Sequence, residues 1–597
     1  MIKKLMKSIR EYKKDSLLSP AMVTLEVIME VIIPMLMARL IDYGIQAQNL
    51  GYIWKMGILL AVTAMISLMF GVLSGKFAAR ASAGFAKNLR KDMYYKVQNF
   101  SFSNIDKFST ASIVTRLTTD VTNVQNAFLV MTRMAFRSPV MLIFAFIMTF
   151  SIEARVAWVF LLVTPLLAIG LFLIISKVHP LFTTIFRTYD KLNAVVQENL
   201  HGIRVVKSFV REKFEIDKFN GISERIFKDF SKAEKLLSLN MPLMQFCMYA
   251  CMILISWVGA RLIVTTGGDP VTGFSTGELM SMLTYVMQIL MSLMMLSMIF
   301  VMLTMSRASA QRITEVLEER SDLHDGEKNL KDVPDGSIDF EHVNFSYSGN
   351  KDHLSLKDIS LHIPSGATVG ILGGTGSAKS TLVNLIPRLY DATSGKITLD
   401  GVEIQDLSLE ELRQQIGFVP QKGVLFSGTI ASNLRFGNPT ATDAEIQQAA
   451  EIAQASDFIE EKHDRYESTI AQGGSNVSGG QKQRLTIARA IAKHPKIFVF
   501  DDSFSALDLK TDAALRKALQ EQVQNSTMII VAQRISTILH ADQILVLENG
   551  SIVGKGTHEE LLHNCTVYQQ IAKSQLSAEE LGLSESDTEE GAMNDGE

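Results

Sequence analysis

The 597-residue sequence predicts two halves of opposite character: an all-α half of six membrane-crossing helices with long cytosolic helical extensions, then a soluble α/β half built around one glycine-rich turn. Three observations carry this. Long apolar runs crowd the first 305 residues. The segments between them are alternately short and long, and the long ones are basic and helix-like. Beyond residue 336, strand-like runs alternate with helix-like ones, and one strand-to-helix turn reads ILGGTGSAKSTL, Ile371 to Leu382.

The apolar runs fall near 17–41, 57–75, 134–152, 156–176, 241–260 and 279–305. About 20 apolar residues are needed for a helix to cross the hydrocarbon of a bilayer, so six spans are expected. The third opens on Arg133 and Arg137. Lys and Arg favour the cytosolic side. The loops 43–54, 151–155 and 262–277 hold zero, one and zero Lys/Arg, whereas 76–132 holds eight and 177–240 holds twelve. Both termini and the second half are therefore expected in the cytosol, with the protein in the cell membrane. Residues 1–16 form a basic cytosolic segment with no cleavage site for a signal peptide. The chain divides into this segment, a transmembrane domain over 17–305, a charged linker over 306–336, a soluble α/β domain over 337–575 and an acidic, disordered tail over 576–597.

Hydrophobic residues make up 47% and the net charge is −4, so no global basicity points to nucleic acid. Cys247, Cys251 and Cys565 show no metal-ligand spacing and read as reduced, structural thiols.

In the second half, SIDFEHVNFSY, ATVGILG, IGFVP, KIFVFDD, STMIIVAQ and QILVLENG read as strands of a largely parallel sheet around the turn. Gly373, Gly376, Lys379 and Ser380 have the spacing of a phosphate-binding loop. Successive backbone N–H groups there surround a polyphosphate at a helix start. Gly373, Gly374, Thr375, Gly376, Ser377, Ala378, Lys379, Ser380 and Thr381 make up the expected nucleotide-binding set, with Lys379 on the β- and γ-phosphates and Ser380 on Mg²⁺. Gln421 could join the Mg²⁺ shell and sense the γ-phosphate. Val477, Ser478, Gly479, Gly480 and Gln481 form a second anion-binding turn at a helix start. If the two turns lie far apart, a dimer is needed to bring both to one phosphate. The apolar strand FVFDD ends in Asp501, placed to hold Mg²⁺, and Asp502. Ser505, Ala506, Leu507 and Asp508 follow. Tyr347 could stack on an adenine.

These motifs, in this order over nearly the whole chain, resemble an ATP-binding cassette (ABC) exporter half-transporter of the type IV exporter fold. The resemblance implies ATP and Mg²⁺ as ligands and two half-transporters paired head to tail. Tyr347 then stacks adenine, Gln421 is the Q-loop glutamine, Ser505–Asp508 is the D-loop, and Val477–Gln481 reaches the ATP held by the partner. Residues 198–212, ENLHGIRVVKSFVRE, look like the family's second intracellular loop, where a short coupling helix meets the ATPase.

Three positions depart from the family pattern. The Gly usual before the loop lysine is Ala378. The usual general-base Glu after the Mg²⁺ aspartate is Asp502, one methylene shorter. The usual switch His is Gln533, which can donate a hydrogen bond but carries no charge. Asp502, Gln533 and Gln421 are the catalytic candidates. The pattern resembles the degenerate-site subunit of a heterodimeric bacterial multidrug exporter; a homodimeric lipid or peptide exporter, or an ATP-gated channel or regulator, is the alternative.

In the membrane half, Glu26 and Glu30 lie one turn apart within the first span. Intramembrane carboxylates face protein or a water-filled cavity. These two either bind a cationic, amphipathic substrate or pair with a polar group on a neighbouring helix. Met287, Met291 and Met298, with Met294 and Met302, recur at helical spacing in the last span and either line a substrate cavity or pack against apolar surroundings. Asp42, at the outer end of the first span, is placed to help close that side.

Overall fold

The computed structural model describes residues 1–268, 273–326, 335–523 and 525–576. The tail expected over 576–597 lies outside the described residues from 577 on, as does 327–334 of the expected linker. The chain forms two compact units. One comprises Met1–Asn99 and Phe108–Glu319; the other comprises Phe100–Lys107 and the chain from Arg320 onward.

The first unit is helical. Six helices long and apolar enough to cross a membrane run over Ile2–Gln46, Leu50–Gln98, Thr110–Ile152, Ala154–His201, Glu212–Thr266 and Thr276–Glu318, and each carries one expected span. The shortest has 43 residues. At 1.5 Å per residue that is about 65 Å, twice the ~30 Å of a hydrocarbon core, so each span continues well beyond the apolar layer. Local capping explains the starts. The Asn49 side chain accepts from the Tyr52 N–H, and Ser275 and Glu278 form a reciprocal capping box.

The last helix runs to Glu318, so residues 306–318 are helix rather than linker. Burial is the reason: Ala310, Ile313 and Val316 recur every three residues, and the last two are fully buried. Asp120, also fully buried, holds this extension in place. It accepts from Ser309 at 2.8 Å and twice from Arg312, at 2.7 and 2.5 Å. Such a two-pronged, charge-assisted contact fixes orientation as well as distance.

The second unit is α/β. Its larger sheet orders the strands Ser551–Gly556, Gln543–Glu548, Thr368–Gly373, Thr527–Val531, Ile497–Asp501 and Ile416–Val419. All neighbours are parallel except the first pair. SIDFEHVNFSY departs from the single-sheet expectation. Its strand, Ile338–Phe345, pairs antiparallel with Leu356–Ile363 and Ser394–Leu399 in a separate sheet. Its burial rises and falls along the strand, as expected where one face is covered and the other is wet. In the parallel sheet Val531 is level with both Ile371 and Asp501. The carboxyl ends of three central strands therefore finish side by side, where the loops after them converge.

Candidate nucleotide site

The phosphate loop leaves the strand Thr368–Gly373 and enters the helix Lys379–Leu385. The reversal needs backbone in the left-handed region, which Gly376 supplies at φ 84°. Ala378 adopts it too, at φ 71°, where the usual glycine would be unstrained. Its methyl packs against the apolar cluster that includes Ile371, Leu382 and Val383.

Lys379 Nζ donates to the carbonyls of Gly373 and Gly374, each at 2.9 Å. Burial pushes its ammonium below the ordinary lysine range, while Asp502 and Asp501 pull it back up. Ser380 Oγ donates to Asp501 Oδ1 at 2.9 Å, so the two expected Mg²⁺ ligands from distant stretches are adjacent. Burial raises the Asp501 carboxyl above the usual carboxylate range; Ser380 and Lys379 oppose this and Asp502 adds to it. A divalent cation fits this donor set of hydroxyl, carboxylate and, from Gln421, amide oxygen, all hard ligands. Bound there, Mg²⁺ would neutralise phosphate charge.

The three catalytic candidates meet at one atom. Asp502 Oδ2 accepts from Gln533 Nε2 at 2.7 Å and from Gln421 Nε2 at 3.1 Å. Asp502 itself sits at φ 49° and is 7% exposed. Its backbone is tied down by its own N–H to Val531 O, and by Ser505 Oγ donating to its carbonyl. Residues 375–381, Gln421, Asp501, Asp502 and Gln533 together line a cleft of ≈ 540 Å³. Tyr347 stands beside it, with its hydroxyl 3.1 Å from Thr381 Oγ1 and its ring half exposed.

Val477–Gln481 are not part of that cleft. Ser478 caps the helix Gly479–Ile491, accepting from the Gln481 N–H, while Gln481 Oε1 accepts from the Ser478 N–H. Ser478 and Gly479 are exposed. A Cβ on Gly480 would touch the Ala506 carbonyl at 3.4 Å, so this turn neighbours the Ser505–Asp508 loop. Asp508 caps the next helix, Leu509–Gln522, through Thr511. These hydrogen bonds, from the Thr511 backbone first, hold its carboxyl below the usual range.

The structure also shows a contact that the sequence reading missed. Phe100–Lys107, from the segment between the second and third spans, belongs to the second unit. Its Asp106 accepts from the Tyr390 hydroxyl at 2.8 Å, Phe102 packs near the Tyr390 ring, and Ser103 donates to Asp322. The aromatic in FSFSNIDKF was the available signal. The stretch 198–212 contains the short helix Ile203–Ser208, none of whose residues is buried within the single chain.

In the membrane unit, Glu26 and Glu30 pair with Arg137 of the third span, whose two terminal nitrogens donate at 2.5 and 2.6 Å. Gly71 gives them room: a Cβ there would lie 3.1 Å from Glu26 Oε1. Asp42 accepts from Ser275 Oγ and from the Gly277 N–H, joining the C-terminal end of the first span to the start of the last. Met287, Met291 and Met298 are exposed in the single chain. The three cysteines are free and buried.

Comparison with known proteins agrees with this architecture. The ABC transporter transmembrane region matches residues 17–293 and the ABC transporter domain matches 356–505. The chain is 37% identical over 93% of its length to the ABC transporter ATP-binding protein YfiB of Bacillus subtilis, covering 95% of that protein. It is 33% identical over 81% of its length to a fatty acid ABC transporter ATP-binding/permease protein of Mycobacterium bovis, covering 76% of it. The structure of a bacterial Atm1-family ABC exporter with ATP bound superposes with a TM-score of 0.79 at 23% identity, over 95% of this chain and 99% of that one. The fold is that of a multi-pass membrane exporter with an ATPase domain. The chain belongs to the ABC transporter family, whose members couple ATP hydrolysis to transport.

Proposed function

We propose that this chain is one half of a heterodimeric exporter of amphipathic compounds in the cell membrane, with both termini in the cytosol. Its own phosphate loop binds Mg²⁺–ATP but turns it over slowly, and its Val477–Gln481 turn completes the faster site on a partner half-transporter. One observation carries the reading: Asp502, already one methylene short, has an oxygen engaged by both Gln421 and Gln533. A general base must come within about 3 Å of the attacking water, or reach it through one bridging water. Here that oxygen is held by two neutral amides, and one of them, Gln533, cannot take up a proton as an imidazole would.

In this reading Lys379 and the loop N–H groups hold the phosphates, Ser380, Asp501 and Gln421 hold Mg²⁺, and Tyr347 stacks on the adenine. The partner contributes the glutamate and histidine of the active site that Ser478 faces. Steady-state hydrolysis by the assembled transporter tests this. Asp502→Asn is expected to keep most of the activity, whereas Ser478→Arg nearly abolishes it. Equal inactivity of the two variants rejects the slow-site assignment and favours two equivalent sites in a homodimer.

A lipid-like substrate is the second reading. The fatty acid transporter of Mycobacterium bovis favours it, as does the exposed methionine face of the last span. Because Arg137 already compensates Glu26 and Glu30, the paired-carboxylate role gains over cation binding. Changing both to Gln is expected to lower thermal stability and to reduce transport of cationic and neutral compounds alike. A selective loss of cation transport restores a substrate role.

A further inference from the structure

Gln483 lies on the helix Gly479–Ile491, five residues after Ser478, and is 2% exposed. A buried amide at such a place must satisfy both of its polar ends. This one uses both on a single neighbouring turn. Nε2 donates to the Pro420 carbonyl at 3.2 Å, and Oε1 accepts from the Gly423 N–H at 3.1 Å. These two backbone groups flank Gln421. The approach is close: a Cβ on Gly423 would lie 2.8 Å from Thr486 Oγ1 and 2.9 Å from Gln483 Oε1. Further along the same helix, Arg489 donates to the Val424 carbonyl at 2.9 Å and to Asn433 Oδ1 at 2.8 Å. That Asn433 oxygen also accepts from the Phe426 N–H. The segment Pro420–Phe426 is thus fastened along one helix, and its Gln421 side chain donates to Asp502.

We infer that Gln483 is a positioning residue that ties the helix Gly479–Ile491 to Gln421, so that a shift of Ser478 at the partner's ATP is carried to Asp502 in this chain's own site. One straight helix begins at the first site and, about 7 Å along its axis, grips both sides of the residue that reaches the second. A side chain that only filled space would need neither hydrogen bond. The inference rests on the reading that Gln421 faces a magnesium nucleotide.

The test uses the assembled transporter with Gln483→Leu, which keeps the size and loses both hydrogen bonds, and Gln483→Glu, which keeps the acceptor for Gly423 and loses the donor to Pro420. With the partner's catalytic glutamate changed to Gln, so that turnover reports this chain's own site, kcat is expected to fall about tenfold or more in the Leu variant with KM for ATP within about twofold, since misplacement of about 1 Å can cost on the order of 100-fold in rate. The Mg²⁺ concentration for half-maximal hydrolysis is expected to rise, and the Glu variant to lie between. Unchanged kcat and Mg²⁺ dependence in both variants overturns the tie. So does a loss of activity that follows Tm with Mg²⁺ dependence unaltered, because that marks a purely structural residue. Lys379→Ala, probed with a fluorescent ATP analogue, reports on the underlying reading alone: full binding there overturns the nucleotide site, whatever the Gln483 variants do.

Discussion

Each unit brings two carboxylates together, partly buried in the membrane unit and buried in the second, and the pairs are held in different ways. In the membrane unit, Glu26 and Glu30 share one guanidinium, with each carboxylate bonded to its own nitrogen of Arg137. In the second unit, Asp501 is bonded to a hydroxyl and Asp502 to two amides. Lys379 is near both but gives its hydrogen bonds to loop carbonyls. The first pair has half of its formal charge cancelled inside the chain. The second is held by neutral donors that orient the oxygens and leave the negative charge for a ligand. On the proposed function, neutral bracing of Asp501 and Asp502 suits a cation that comes and goes, whereas the Arg137 pairing ties the first span to the third.

Removing the cation from each neighbourhood breaks the comparison most sharply. Lys379→Ala is expected to weaken nucleotide binding at this chain's loop by about 100-fold, on the scale of a lost charge-assisted phosphate contact, with folding retained. Titration with a fluorescent ATP analogue measures it, and unchanged affinity contradicts the assignment. Arg137→Leu should act on the fold instead. It strands two carboxylates within the membrane and is expected to destabilise on the order of 2 kcal/mol, less than a fully buried pair because Arg137 is 32% exposed. Adding Glu26→Gln and Glu30→Gln to that variant should recover most of the loss in thermal unfolding. No recovery means that the three residues do not act as a unit.

A smaller effect separates the pairs by pH. Burial raises the Asp501 carboxyl, so between the unfolded carboxylate pKa and the raised folded one the native state binds more protons than the unfolded state. This group's contribution to stability therefore falls as pH rises through that window. Asp501→Asn removes the dependence: the variant gains relative to wild type above the window and converges with it below. The same variant should require more Mg²⁺ for nucleotide to bind at this chain's own loop. Urea unfolding across acidic to neutral pH checks the first point, and a slope unchanged by the substitution refutes it.

The smallest change concerns the loop. Ala378→Gly relieves a left-handed alanine worth about 1–2 kcal/mol, and the unfolded chain's added freedom returns part of it. A net gain of about 0.5 kcal/mol in chemical denaturation is expected. ATP affinity should change little, because the methyl rests on the apolar cluster behind the loop. A large rise in affinity would show instead that the methyl obstructs phosphate.

What the sequence determined by itself is whatever local pattern encodes. Apolar runs long enough to cross a bilayer specify spans whatever their neighbours do, and the loop from Gly373 to Thr381 specifies a strand-to-helix turn through glycine spacing. The family resemblance also identified Ala378, Asp502 and Gln533 as departures, because substitutions within a motif need no coordinates to be seen. Tertiary structure decided which side chains meet. Glu26 and Arg137 are 111 residues apart, and Gln421 and Asp502 are 81 apart. No periodicity could have said that Arg137 divides itself between two carboxylates, that two amides close on one Asp502 oxygen, or that Gln483 spans the Gln421 turn. The same holds for Phe100–Lys107, which sit in the first half of the chain and fold with the second. Partner choice for a buried polar group is set by which elements pack together, and that follows from covering apolar surface over the whole chain rather than from the residues on either side.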